Sequence, residues 1–183
     1  MPIPKHALAP GGAGLLAFLL AACSPALNWR SVPLEGAALS VALPCKPDRA
    51  VRAVDLGGGK ADLAMVGCEA DGALFAVSQL ALADPAQASA TLGRWRAAVL
   101  ARLGDSARVV QQQDFAPRGA LPLPGAVRIV AHGRRPEGGA VTLQAVWFAR
   151  ALGPQVRLYH AALYTHKARP ALADTFFDGL TLQ

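Results

Sequence analysis

Few side chains in this sequence are equipped for chemistry. They are three cysteines (Cys23, Cys45 and Cys68), three histidines in the second half (His132, His160 and His166), and the arginines Arg128 and Arg134 on either side of His132. An imidazole near its neutral pKa binds metals or moves protons, and a guanidinium holds anions. In an alternating strand Arg128, His132 and Arg134 share one face. His160 and His166 share parity in a later segment. If these faces converge, Arg128, His132, Arg134 and His160 would form a metal- or anion-binding site or the centre of a small periplasmic enzyme. The plainer reading is solvated histidines on a polar sheet face. Other catalytic patterns are missing from the sequence. None of Ser31, Ser40, Ser78, Ser89 or Ser106 lies in the Gly-x-Ser-x-Gly elbow that exposes a nucleophilic hydroxyl. Gly57-Gly58-Gly59-Lys60 lacks the Ser or Thr that follows the lysine of a phosphate loop, and it leads into a strand, which is the pattern of a hairpin turn. No catalytic residue, metal ligand or cofactor is therefore assigned.

The first cysteine belongs to a different kind of chemistry. Residues 1–22 open with Lys5 and His6, run through Leu15-Leu16-Ala17-Phe18-Leu19-Leu20 and end in small side chains. That is the charged, apolar and cleavable order of a secretory signal, and it is shorter than the ~20 apolar residues of a membrane span. The run Leu20-Ala21-Ala22-Cys23 resembles the lipobox of bacterial lipoproteins at all four positions. The resemblance implies a cleaved leader (1–22), a lipid on Cys23 and a short tether (23–31) to a single domain (32–183). Two or three acyl chains at about 0.8 kcal/mol per buried methylene make a stable anchor. Ser24 stands where the family's inner-membrane proteins carry Asp, so the analogy favours the outer membrane, facing the periplasm.

With Cys23 acylated, Cys45 and Cys68 remain in an oxidising compartment, which favours one disulfide between them. Neither belongs to a CxxC motif, as a zinc or redox site would require.

The elements that must position these residues follow from periodicity. Strands are expected over 38–43, 51–56, 62–70 and 73–82, the last two joined at Asp71-Gly72, a dipeptide that accepts positive φ. Asp84-Pro85 opens a helix over 84–104, with Leu92, Trp95, Val99 and Leu103 at helical spacing and Gly104 as its stop. A strand over 107–115, with Gln111-Gln112-Gln113 on an edge, and a proline-rich loop over 116–125 come next. Three long strands over 127–134, 140–150 and 155–165 form a meander, and a helix over 170–179 carries Leu172, Phe176 and Phe177. Val141, Leu143, Ala145 and Trp147 alternate with Thr142, Gln144, Val146, Phe148 and Arg150, the pattern of a sheet with one better-buried face. The fold class is therefore α+β, an antiparallel sheet of six to seven strands covered by two main helices. In element order, in the opening strand ending Leu43-Pro44 and in the closing Phe176-Phe177 helix, the mature chain resembles PsbP-like α/β/α sandwich domains and related bacterial lipoproteins. That resemblance implies a binding or assembly module rather than an enzyme.

The chain carries a formal net charge of +6, built on 14 arginines and 4 lysines dispersed along its length. Membrane attachment through the N-terminal lipid, an envelope protein partner and anionic headgroups are the expected contacts. Nucleic acid is not expected of an exported chain. Replacing Cys23 with Ser is expected to abolish acylation and release the protein from membranes. Metabolic labelling with a palmitate analogue checks this, and lipid retained on the variant would contradict it.

Overall fold

A computed structural model describes residues 26–56, 59–135 and 137–183. The leader, Cys23 and the pair Gly57-Gly58 lie outside the described residues.

The chain runs through β1 (Arg30–Leu34), β2 (Leu39–Leu43), β3 (Asp48–Asp55), β4 (Lys60–Ala70), β5 (Ala73–Leu82), α1 (Ala88–Ala101), β6 (Arg108–Asp114), β7 (Val127–Arg134), β8 (Ala140–Leu152), β9 (Gln155–Thr165), α2 (Pro170–Asp178) and β10 (Thr181–Leu182). Seven strands form one antiparallel sheet in the order β3-β4-β5-β9-β8-β7-β6, and β1, β2 and β10 form a second, small sheet. The architecture is α+β, as the sequence predicts. Among the described residues, no helix is long and apolar enough to cross a membrane.

Local chemistry explains several boundaries. Asp71 and Gly72 both adopt positive φ (50° and 68°), the signature of the tight β4–β5 turn. The Asp84 carboxylate accepts the Ala86 N–H at 3.0 Å and Pro85 occupies the first turn, a single 3-10 turn that leads into α1. Gly104 closes the helix segment at φ 76°. The exit of α1 then lies hard against β7. A Cβ at Gly133 would stand 2.5 Å from Leu103 Cβ, and the Arg134 N–H reaches Leu103 O at 2.8 Å.

Two expectations need correction. The segment read as a tether ends in a strand: β1 begins at Arg30 and pairs along its length with β2, while Trp29 sets its ring edge-on to Phe75 at 5.7 Å. Pro33 disguises this strand in the sequence, and it is tolerated because β1 is an edge. The large sheet also does not have one better-buried face. On one side Leu92, Trp95 and Val99 of α1 pack on Ile129, Leu143, Ala145, Trp147 and Leu158. On the other, the small sheet and α2 bring Leu39, Val41, Leu43, Phe176 and Phe177 onto Phe75, Val77, Val146, Phe148 and Tyr159. Burial on both faces explains why β8 and β9 read as almost continuous apolar runs.

The two layers on that second side are tied covalently. Cys45, just after β2, is bonded to Cys68 of β4 across a sequence separation of 23. The buried Tyr159 hydroxyl donates to Ala37 O from the large sheet to the β1–β2 turn. Burial pushes the phenol up to about 12, while Arg157 and Arg150 pull the other way. Replacing both cysteines with Ser is expected to cost about 3 kcal/mol of unfolding free energy. Urea denaturation checks this, and an unchanged midpoint would show that the bond does not constrain the fold.

A candidate polar cleft beside the second helix

The alternation of β7 sends Arg128, Val130 and His132 to the side of the sheet on which α2 lies. Pairing supplies their neighbours. Arg128 stands opposite Gln113 and Val146, Val130 opposite Gln111 and Gln144, and His132 opposite Arg108 and Thr142. Together with Asp174 of α2, several of these side chains line an open cleft of about 760 Å³, whose polar lining is Gln111, Gln112, Gln113, Arg128, His132, Gln144 and Asp174.

Arg128, His132, Gln144 and Asp174 in the lining are partly committed. The Arg128 guanidinium donates to Asp174 Oδ1 at 2.6 Å and lies 5.0 Å from the Phe177 ring centroid. Its side chain is 20% exposed and that of Asp174 is 55% exposed. At such exposure the ion pair contributes at most about 1 kcal/mol, and the ring contact about as much again. Arg128 thus fastens α2 to the sheet and presents its remaining N–H groups to the cleft. His132 Nδ1 lies 3.2 Å from Thr142 Oγ1, which fixes the ring plane. Gln144 is almost fully buried and its Oε1 accepts the Arg169 N–H at 3.0 Å, supplying a partner for the backbone at the start of α2. Arg169 in turn donates to the Asp71 carboxylate at 2.5 Å and to Asp71 O at 2.8 Å, so the β4–β5 turn holds the same helix end.

The predicted quartet does not converge. Arg128 and His132 share the cleft. Arg134 lies exposed at the end of β7, beyond the cleft lining. His160 stands opposite Trp147 and Ser78 on the other face, beneath α1. Its ring stacks on Trp147 at 4.6 Å and meets the Trp95 edge at 5.5 Å. The physical reason is strand parity between two buried faces: β9 has an apolar side chain on both sides of the histidine, so sequence alternation could not say which side it faces. His166 is exposed, with Nδ1 3.3 Å from Ala140 O. An arrangement in which His132 and His160 act on one metal or one substrate is therefore excluded by the sheet between them. Among the described residues no group of three or more His, Cys, Asp or Glu is placed to hold a metal ion.

Sequence reading placed Gln111, Gln113 and Gln144 on strands without a role in a site, and gave Asp174 none either. Their types carried no signal, and only the β6–β7–β8 register brings them to Arg128 and His132.

No family model matches the chain, and no curated protein matches it. Among solved structures it is similar to PA94 of Pseudomonas aeruginosa, a protein of unknown function described as a putative regulator. The two share 19% identity over 78% of this chain and 84% of that one, with a TM-score of 0.33.

His160 is 5% exposed, and its Nε2 and Trp147 Nε1 are buried with no hydrogen-bond partner among the described residues. Burial lowers its pKa from 6.5 to about 3. Between those values the unfolded chain binds a proton that the folded chain does not, so stability falls as pH is lowered through that window. This group alone gives a slope of up to about 1.4 kcal/mol per pH unit. His160→Phe is expected to remove that slope and to leave the protein as stable or about 1 kcal/mol more stable at neutral pH, since an apolar ring has no unmet nitrogen. Denaturation at several pH values checks this. Identical slopes in the two proteins would contradict the buried neutral imidazole.

Proposed function

We propose that this protein is a non-catalytic binding module of the bacterial envelope, anchored by lipid on Cys23, with the cleft between β6–β7 and α2 as its ligand site. The observation that carries the reading is the cleft itself. It is roomy, lined by four glutamines, a histidine and an arginine, and walled by α2, which Gln144, Asp174 and Arg169 fix in place.

Its lining selects a chemistry. Glutamine amides offer a donor and an acceptor side by side, and Arg128 adds N–H donors beyond those spent on Asp174. The Asp174 carboxylate offsets the Arg128 charge, so the cleft suits a neutral or singly anionic polar group, such as an amide or a carboxylate, better than a polyanion. A hydrogen bond from a site of this kind discriminates against ligands that leave its groups unpaired. Preformed walls reduce the ordering cost of binding.

Other features support the envelope setting. The Cys45–Cys68 disulfide suits an oxidising compartment. The lipobox-like Leu20-Ala21-Ala22-Cys23 offers a tether that keeps the domain at a membrane surface.

A photoreactive side chain introduced at Gln113, on the rim of the cleft, tests the site inside cells because such groups insert into C–H bonds of any organic ligand. Illumination is expected to trap an adduct from position 113 and none from the exposed Ala97 on the outer face of α1. His132→Ala should reduce the trapped fraction several-fold. Equal trapping from both positions, or none from 113, would contradict the assignment.

A further inference from the structure

The seven-stranded sheet ends in two edges that differ in construction. On β6 the pairing with β7 slips between Val109 and Gln111, a bulge that blunts the edge. On β3 all eight residues pair with β4 in unbroken register. Every position of β3 but one is exposed, and Val51, at 66% exposure, is the most exposed large apolar side chain among the described residues. Within those residues no strand but β4 pairs with β3. A straight edge of this kind is a template for another strand.

The sequence of β3, Asp-Arg-Ala-Val-Arg-Ala-Val-Asp, says which strand fits. Residues directly opposite each other in an antiparallel pair lie on the same face and interact as pairs. Paired with itself about an axis at Ala50, the strand sets Asp48 opposite Arg52 of the second copy and Arg52 opposite its Asp48. Like charges are not placed opposite each other. Moving the axis to Arg52 would oppose two arginines, and moving it to Val51 or Ala53 would leave every charge opposite an uncharged residue. The Arg52 axis would also set Arg49 opposite Asp55, so Ala50 is the axis that matches charge with charge without opposing like charges.

The surfaces flanking that axis are also hollow. On one face a cleft of about 400 Å³ is lined by Leu34, Arg49, Val51 and Ala64. On the other a cleft of about 550 Å³ is lined by Asp48, Met65, Glu69 and Leu74. Both reach Ala50. In the Ala50 register the second copy's Val51 enters the first cleft beside Arg49, whose methylene stem can cover it. The second copy's Arg52 enters the other, where Asp48 and Glu69 supply two carboxylates.

We propose that two copies of this chain associate through their β3 edges, antiparallel about Ala50, to make one continuous sheet across the pair. The arrangement is isologous and closes on itself, as a two-fold dimer must. It leaves the β6–α2 cleft of each copy open at the opposite edge and does not depend on what that cleft binds.

Sedimentation of the full-length chain in detergent solution tests this, with variants measured in the same detergent. The unaltered chain is expected to sediment as a dimer. Arg52→Asp places four carboxylates across the axis and should raise the dimer dissociation constant at least about tenfold. Combining it with Asp48→Arg exchanges the charges without changing their complementarity and should restore the dimer. A monomeric parent chain would overturn the proposal. So would an Arg52→Asp variant that dimerises like the parent, or a double variant no better than the single one.

Discussion

The structure depends on a sheet that has no wet face at its centre. In β8 and β9 both sides are covered, one by α1 and the other by α2 and the small sheet. A polar side chain in those strands must be matched, moved outward or kept uncharged, because burial without a partner costs about 1–3 kcal/mol. Gln144 meets the condition by taking the Arg169 N–H, and Thr165 by donating to Lys167 O at 2.7 Å. His160 meets it by remaining neutral between two indoles. The buried polar atoms thus fall into a set that ties elements together and a set that only fills space.

That division explains why the usable polar groups gather where they do. The cover on the α2 side is short, because α2 has only nine residues. On the same face Arg128 reaches Asp174 and the Phe177 ring of α2, and His132 is only half-buried. The cleft is the uncovered end of a buried face. Its floor is sheet, its wall is the helix, and its polar lining is what the strands carry where water returns.

Much of this could be read from the residues, and the failures have definite causes. The Asp71-Gly72 turn, the Asp84-Pro85 start, the Gly104 stop and the Phe176-Phe177 anchors each follow from short-range chemistry, and each lies where the sequence places it. Pro33 hid β1, since a strand signal and a proline conflict unless the strand is an edge. His160 was misplaced because alternation distinguishes faces only when one of them is polar. Gln111, Gln113 and Gln144 come together through register across three strands, and register is decided by packing that a single strand's sequence does not contain. Asp174 was out of reach for the same reason, as its partner Arg128 lies 46 residues away.

The opposite placement of the two histidines is the claim on which the reading of the cleft rests. Diethyl pyrocarbonate labelling of the intact chain, located by peptide mass spectrometry, measures it directly. The account predicts rapid modification of His132 and His166 in the folded protein, with His160 modified only after denaturation. Modification of His160 at the same rate as His132 under native conditions would contradict it.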